Sequence, residues 1–208
     1  VLHMQKFKTN DVTGMQIHNQ RERESKTNFD IDKSKTYLNY DLHNESKINF
    51  NKKIKDIIKE NVVTDRAIRK DAVVMCNFII TSDKKFFDSL SETERERFFD
   101  ISYDFFKKRY GEEKIISAAV HLDEKTQHMH LSLVPVTEDK KLSAKRLFDR
   151  NELRSLQDDF PKFLNENNFD LKRGLDAEGK NKHIEIQRFK KNKLESDLKA
   201  LESKLNRL

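Results

Sequence analysis

The chain has 208 residues, of which 38% are charged and only 35% hydrophobic, with a net charge of +6 and a pI near 9.2. That is enough for one economical core plus an appendage, and the positive balance favours a polyanionic partner over an acidic small molecule, although a surface rich in both signs gives the same totals. A single cysteine, Cys76, excludes a disulfide scaffold and suits a reducing cytoplasm, while no apolar run reaches membrane-span length and no signal peptide is visible.

In chain order, "HMQKFK" (3–8) alternates as a first strand, and residues 10–35 read as polar and irregular. "TYLNYDL" (36–42) reads as a second strand, and "NFNKKIKDIIKENV" sets Ile54, Ile57 and Ile58 at the spacing of an amphipathic helix. "DAVVMCNFIITS" (71–82) is continuous and β-branched, a buried strand. A helix then opens on a capping box at Ser91 and Glu94 and closes at Gly111. "KIISAAVHL" and "HMHLSLVPV" form two strands joined by "DEKTQ", and "DRNELRSLQDDFPKFLNENN" is a further helix that Pro161 is expected to kink or break.

After about residue 180 the character changes. Leu194, Leu198, Leu201, Leu205 and Leu208 recur at steps of four and three, the rhythm of a coiled coil, although one amphipathic helix packed on the domain would carry the same pattern. The expected organisation is a domain over 1–180 and a helical extension over 181–208 through which copies could dimerise. The chain opens on Val1 and stops on the leucine rhythm, so the natural protein is expected to continue beyond it.

The chemistry concentrates in "VHLDEKTQHMHLSLVPV" (120–136), which holds His121, His128 and His130 with Asp123 and Glu124 between them. Side chains alternate along a strand, so His128 and His130 share one face while Met129, Leu131 and Leu133 take the other to a core. His121 lies across the hairpin from that pair. Three imidazoles converging with open positions left over is the plan of a catalytic metal site, and the ligand set alone leaves Zn, Mn, Fe, Ni and Cu open.

"HLDEKTQHMH" resembles the HxDExTPHxH motif of the MobV (Pre/Mob) plasmid mobilisation relaxases, members of the HUH endonuclease superfamily. "MQKFK", "HNQRE" (18–22), "LNYDL" (38–42), "DRAIRKDAV" (65–73), "IITSDKKFF" (79–87) and "LSAKRLFDRNEL" (142–153) resemble the same family in order, so the likeness spans roughly residues 2 to 190. Two departures stand out: Gln127 replaces the usual proline, and Gln20 occupies an often acidic position near the expected nucleophile.

The resemblance implies an α+β fold with an antiparallel central sheet flanked by helices. It implies a cytoplasmic, plasmid-encoded bacterial enzyme that nicks and rejoins one strand at an origin of transfer. In that reading His121, His128 and His130 hold a divalent ion, manganese for preference, with magnesium or another transition metal as substitutes. His18 of "HNQR" is the implied nucleophile, leaving the tyrosines Tyr37, Tyr40, Tyr103 and Tyr110 aside. Glu124 is expected to orient His18 or take its proton, Asp123 to orient a metal ligand from behind, and Arg21 to hold the scissile phosphate.

Further grip on DNA is expected from Arg66, Arg69 and Lys70, the two arginines sharing a helical face, and from Ser143, Lys145 and Arg146. Two alternatives remain. One is an HUH replication initiator with a tyrosine nucleophile; the other is a non-enzymatic DNA-binding module whose metal is structural and has a fourth protein ligand.

Overall fold

The computed structural model describes residues 2–171 apart from 26, 27, 29 and 65. Both the leucine rhythm of the tail and the domain boundary expected near 180 lie outside these residues. Five strands form one antiparallel sheet: β1 (Leu2–Lys8), β2 (Tyr40–Asp41), β3 (Val73–Thr81), β4 (Ile115–His121) and β5 (His128–Leu133), in the order β1-β3-β5-β4-β2. The strand carrying two of the three motif histidines is therefore the central one.

The two faces of the sheet differ. On one, Cys76, Phe78 and Ile80 of β3, Met129, Leu131 and Leu133 of β5, and Ala118 and Val120 of β4 pack into a single core. The helices α4 (Glu92–Tyr110) and α6 (Arg150–Glu166) cover it with Phe98, Phe99, Phe105, Phe106, Leu156, Phe160 and Leu164. The short helices α3 (Lys84–Ser89) and α5 (Ala144–Leu147) join the same side through Phe87 and Ala144.

On the other face α1 (Thr9–Asn19) and α2 (Phe50–Asn61) bury Val12, Phe50, Ile54 and Ile57 against Met75, Ile116 and Val134. This second apolar cluster covers only part of that face. Asn77, Ser117, Ser132, His121, His128 and His130 line the remainder.

Several expected elements change. The segment 10–35 contains a true helix, α1, which lacks an apolar stripe; docking against α2 holds it rather than its own pattern. Residues 36–42 are mostly not strand. Asp32 accepts from Ser34 N at 3.1 Å and starts a 3₁₀ helix over Lys33–Leu38, leaving only Tyr40–Asp41 in the sheet. Residues 66–70 are not helical, so Arg66 and Arg69 do not share a helix face.

Pro161 neither breaks nor ends α6, which runs through it. The helix loses one backbone bond there, but Leu156, Phe160 and Leu164 remain buried along one side and hold it. The strands of the motif hairpin and the capped helix closing at Gly111, whose φ is +92°, stand as expected.

Candidate metal centre and active site

The β4–β5 register sets His121 directly opposite His128, with His130 two residues along the same face. A fourth histidine joins them from α1. His18 Nε2 lies 3.2 Å from His130 Nε2, and one ligand atom from each of the four rings lies within 4.8 Å of the others.

The outward nitrogens decide what the inward ones can do. His121 Nε2 faces the Asn19 carbonyl at 3.0 Å, so Nε2 carries the hydrogen and Nδ1 is a lone pair. His128 Nδ1 likewise donates to the Thr126 carbonyl at 2.9 Å, leaving Nε2 as a lone pair. These two inward lone pairs face each other at 3.3 Å with no proton to share. Two acceptors so placed repel unless a cation lies between them, so the donor set fits a divalent metal.

Three of the rings are also held neutral. Burial, and next the charge of Arg21, lower His18 to a pKa of about 4. Burial drives His121 and His130 well below the ordinary imidazole value, with neighbouring positive charges adding to it.

The carboxylates are placed otherwise than expected. Asp123 does not back a metal histidine. Its side chain, fully withdrawn from solvent, receives Arg21 Nε at 3.0 Å, Arg21 Nη2 at 2.8 Å and the Thr36 hydroxyl at 3.0 Å. These donors hold its pKa down at about 2 against the cost of its burial. Glu124 instead stands beside the metal histidines, 4.0 Å from His121 Nδ1 and 3.9 Å from His128 Nε2. It accepts from Arg21 Nη2 at 2.8 Å and from Asn28 at 3.0 Å.

Arg21 is thus enclosed rather than presented to a phosphate. Its backbone adopts a left-handed φ of +49°, which for a residue with a Cβ costs roughly 1–2 kcal/mol. That turn brings the side chain back over the end of α1, where Nη1 donates to the His18 carbonyl at 2.9 Å and reaches His18 Nδ1 at 3.5 Å.

Gln20 is not part of this network. Its amide donates to the Ile48 carbonyl at 2.9 Å and accepts from Ile48 N at 2.6 Å, locking α1 to the segment before α2. An ionised carboxylate at this often acidic position could accept but not donate, so the amide makes both bonds. At the other departure, the Gln127 carbonyl accepts from the Thr81 hydroxyl at 2.8 Å and ties the hairpin end to β3.

Of the expected DNA contacts, Arg66, Arg69, Ser143 and Lys145 line one cleft of about 430 Å³ together with Lys6. Segments about 75 residues apart in sequence thus meet, though not by the helical spacing expected. Lys70 is absent from that lining, and Arg146 pairs with Asp139 at 2.9 Å. The tyrosines divide: Tyr103 and Tyr110 are buried in the aromatic core, Tyr40 is half-buried, and Tyr37 is 81% exposed on the 3₁₀ helix.

The structure adds residues that motif reading passed over: the carbonyls of Asn19 and Thr126, the Thr36 hydroxyl, Asn28 and Asn77. Asn77 alone left a signal, a single amide inside an apolar strand.

The profile of the plasmid recombination enzyme (Mob/Pre) family matches residues 1–191. The chain belongs to that family. A plasmid recombination enzyme from a Bacillus species is 49% identical over 99% of this chain and 49% of its own length. A type 2 plasmid recombination enzyme of Staphylococcus aureus is 47% identical over 99% of this chain and 48% of its own. The chain therefore spans about half the length of the curated relatives it matches.

Among solved structures, the relaxase domain of MobM, crystallised Mn-bound with plasmid pMV158 oriT DNA, superposes with a TM-score of 0.87. It is 42% identical, and the match covers 92% of this chain and 97% of that one. The antiparallel sheet and its helices are thus those of a relaxase domain. Among the described residues, no helix is long and apolar enough to cross a membrane.

Proposed function

We propose that this chain is the nicking and rejoining part of a plasmid mobilisation enzyme, acting on one strand of origin-of-transfer DNA in the bacterial cytoplasm. One observation carries the reading. Inward lone pairs of His121 and His128 meet on the central strands, and His18 from a separate helix comes to within 3.2 Å of His130 Nε2 beside them. The Mn-bound, oriT-bound state of the similar MobM domain supports it.

His121, His128 and His130 would hold the ion, manganese by analogy with that relative. When bound, it would draw electron density from a phosphate oxygen and stabilise the charge that builds there. His18 is the nucleophile. A ring nitrogen bonds to phosphorus, the bond from phosphorus to the 3′ oxygen breaks, and the 5′ phosphoryl group stays on the ring. The ring's proton ends on the 3′ oxygen, by way of solvent or Glu124. The reverse sequence rejoins the strand, because the phosphodiester energy is kept in the phosphorus–nitrogen bond.

Burial and the nearby Arg21 charge keep the His18 ring neutral at pH 7, as a nucleophile requires. Arg21 is a positioning residue that ties His18 to Asp123 and Glu124. Lys6, Arg66, Arg69 and Lys145 give phosphate contacts at a distance from the chemistry. Dimerisation through the leucines of the tail completes the proposal.

A second reading has its own observation: the same 3.2 Å approach would let His18 close the metal shell as a fourth ligand, making the site structural. Incubation with labelled origin DNA and Mn²⁺, with and without chelator, separates the two. A nucleophilic His18 gives a covalent adduct that falls apart in mild acid and survives alkali, and His18→Ala forms none while still binding Mn²⁺. A structural His18 gives no adduct at all, and His18→Ala loses the metal. An acid-stable adduct on a tyrosine peptide would return the protein to the tyrosine-using branch.

A further inference from the structure

Asn77 lies at the middle of β3, paired directly with Ser132 of β5, and both are fully buried. Its amide stands between two side chains. Nδ2 is 3.1 Å from His130 Nδ1, and Oδ1 is 2.9 Å from the Ser132 hydroxyl. A hydroxyl donates or accepts equally well, so turning the amide by half a turn satisfies the same two neighbours with its oxygen and nitrogen exchanged. The two orientations require opposite tautomers of His130.

A chain of contacts selects between them. The guanidinium of Arg21 has donors only, so His18 Nδ1, which it reaches at 3.5 Å, must accept. His18 Nε2 then carries the ring hydrogen and donates across 3.2 Å to His130 Nε2. With Nε2 of His130 accepting, its hydrogen is on Nδ1, and Nδ1 must face an acceptor. Among the described residues, the acceptor at hand is the Asn77 oxygen once the amide is turned by half a turn, with Asn77 Nδ2 then donating to Ser132. A divalent ion bound at His130 Nε2 demands the same tautomer, because the ligating nitrogen must offer its lone pair.

We propose that Asn77 is the positioning residue that fixes His130 as the Nδ1–H tautomer and so presents its Nε2 lone pair to a divalent metal ion. The proposal deepens the metal-site reading above and rests on it. It also explains why an amide sits in an otherwise apolar strand: His121 and His128 take their outward acceptors from backbone carbonyls, whereas His130, in mid-strand, has its neighbouring carbonyls engaged in the sheet ladder.

The test uses the folded protein labelled with ¹⁵N-histidine. Two-bond proton–nitrogen correlation spectra report the His130 tautomer without metal and with Zn²⁺ as a diamagnetic probe, while calorimetry reports Mn²⁺ affinity. Wild type should show the Nδ1–H form in both states. Asn77→Asp keeps an acceptor and should keep both that tautomer and Mn²⁺ binding. Asn77→Leu removes the acceptor and should shift His130 towards Nε2–H and weaken Mn²⁺ by about 10- to 100-fold.

An Nε2–H tautomer in the metal-free wild type would overturn the proposal, as would wild-type Mn²⁺ affinity in folded Asn77→Leu or its loss in folded Asn77→Asp. Should Asn77→Leu not fold, the wild-type spectrum and Asn77→Asp still decide. A wild type that binds no Mn²⁺ would instead defeat the metal-site reading, while the metal-free tautomer continues to test the role of Asn77.

Discussion

Replacing Asp123 by alanine removes the group that grips Arg21 at two points, at 3.0 Å and 2.8 Å. The pair is sequestered, with side-chain exposures of 10% for Arg21 and 0% for Asp123. Removing one partner of a buried pair strands the other charge and costs about 3–5 kcal/mol. Glu124 remains 2.8 Å from Arg21 Nη2 and partly compensates, which places the ionic loss near the lower end of that range, about 3 kcal/mol.

The Thr36 hydroxyl also loses its acceptor, adding about 1 kcal/mol. For a domain of this size a total of about 4 kcal/mol lowers Tm by roughly 10 °C. Urea unfolding of Asp123→Ala, Arg21→Met and the double variant measures it. Because the double variant strands less charge, its loss should fall short of the two single losses combined by about 2 kcal/mol. Nicking should drop in Asp123→Ala although the three metal histidines are untouched and Mn²⁺ still binds. A loss below about 1 kcal/mol, or single losses that simply add, would refute the account of a buried network ordering His18.

Three further outcomes are expected. With chelator present, the folded His18 pKa of about 4 lies below the ordinary 6.5, so the unfolded chain binds more protons between those values. Stability should therefore fall as pH drops from about 6.5 to about 4, by about 2–3 kcal/mol from this ring, and His18→Gln should flatten that slope in denaturation series across the range. The depressed pKa of Asp123 acts in a lower window, its contribution being lost only as pH falls from 3.8 towards about 2. Mn²⁺ at 100 times its Kd should stabilise the wild type by about 2.7 kcal/mol at pH 7 and leave His121→Ala unmoved in thermal melts. Changing Arg66, Arg69 and Lys145 together to alanine should reduce the slope of log affinity against log salt by about one for each phosphate no longer neutralised, measured by anisotropy with labelled origin DNA; an unchanged slope removes that cleft from the DNA surface.

Much of this was legible in the sequence because it depends on near neighbours in the chain. Strand alternation dictated that His128 and His130 share a face and that Met129, Leu131 and Leu133 enter the core. A five-residue turn brought His121 opposite them, and Ser91 with Glu94 marked the start of α4. What the sequence did not reveal depends on contacts between distant segments. Residues 9–19 carry no apolar stripe, so only their packing on α2 and the sheet makes them the helix that delivers His18.

The roles of Asp123 and Glu124 could not be read from adjacency. Successive residues in a turn point different ways, and only the fold shows that both meet Arg21, about a hundred positions earlier, and that Glu124 also stands beside the imidazoles. The same holds for Arg66 and Lys145, which share a cleft only because the chain returns to it. The Asn77 amide was visible as a lone polar group in a strand, but its partner became known only when β3 paired with β5. Local covalent geometry determines which face a side chain takes; long-range packing determines what it meets there.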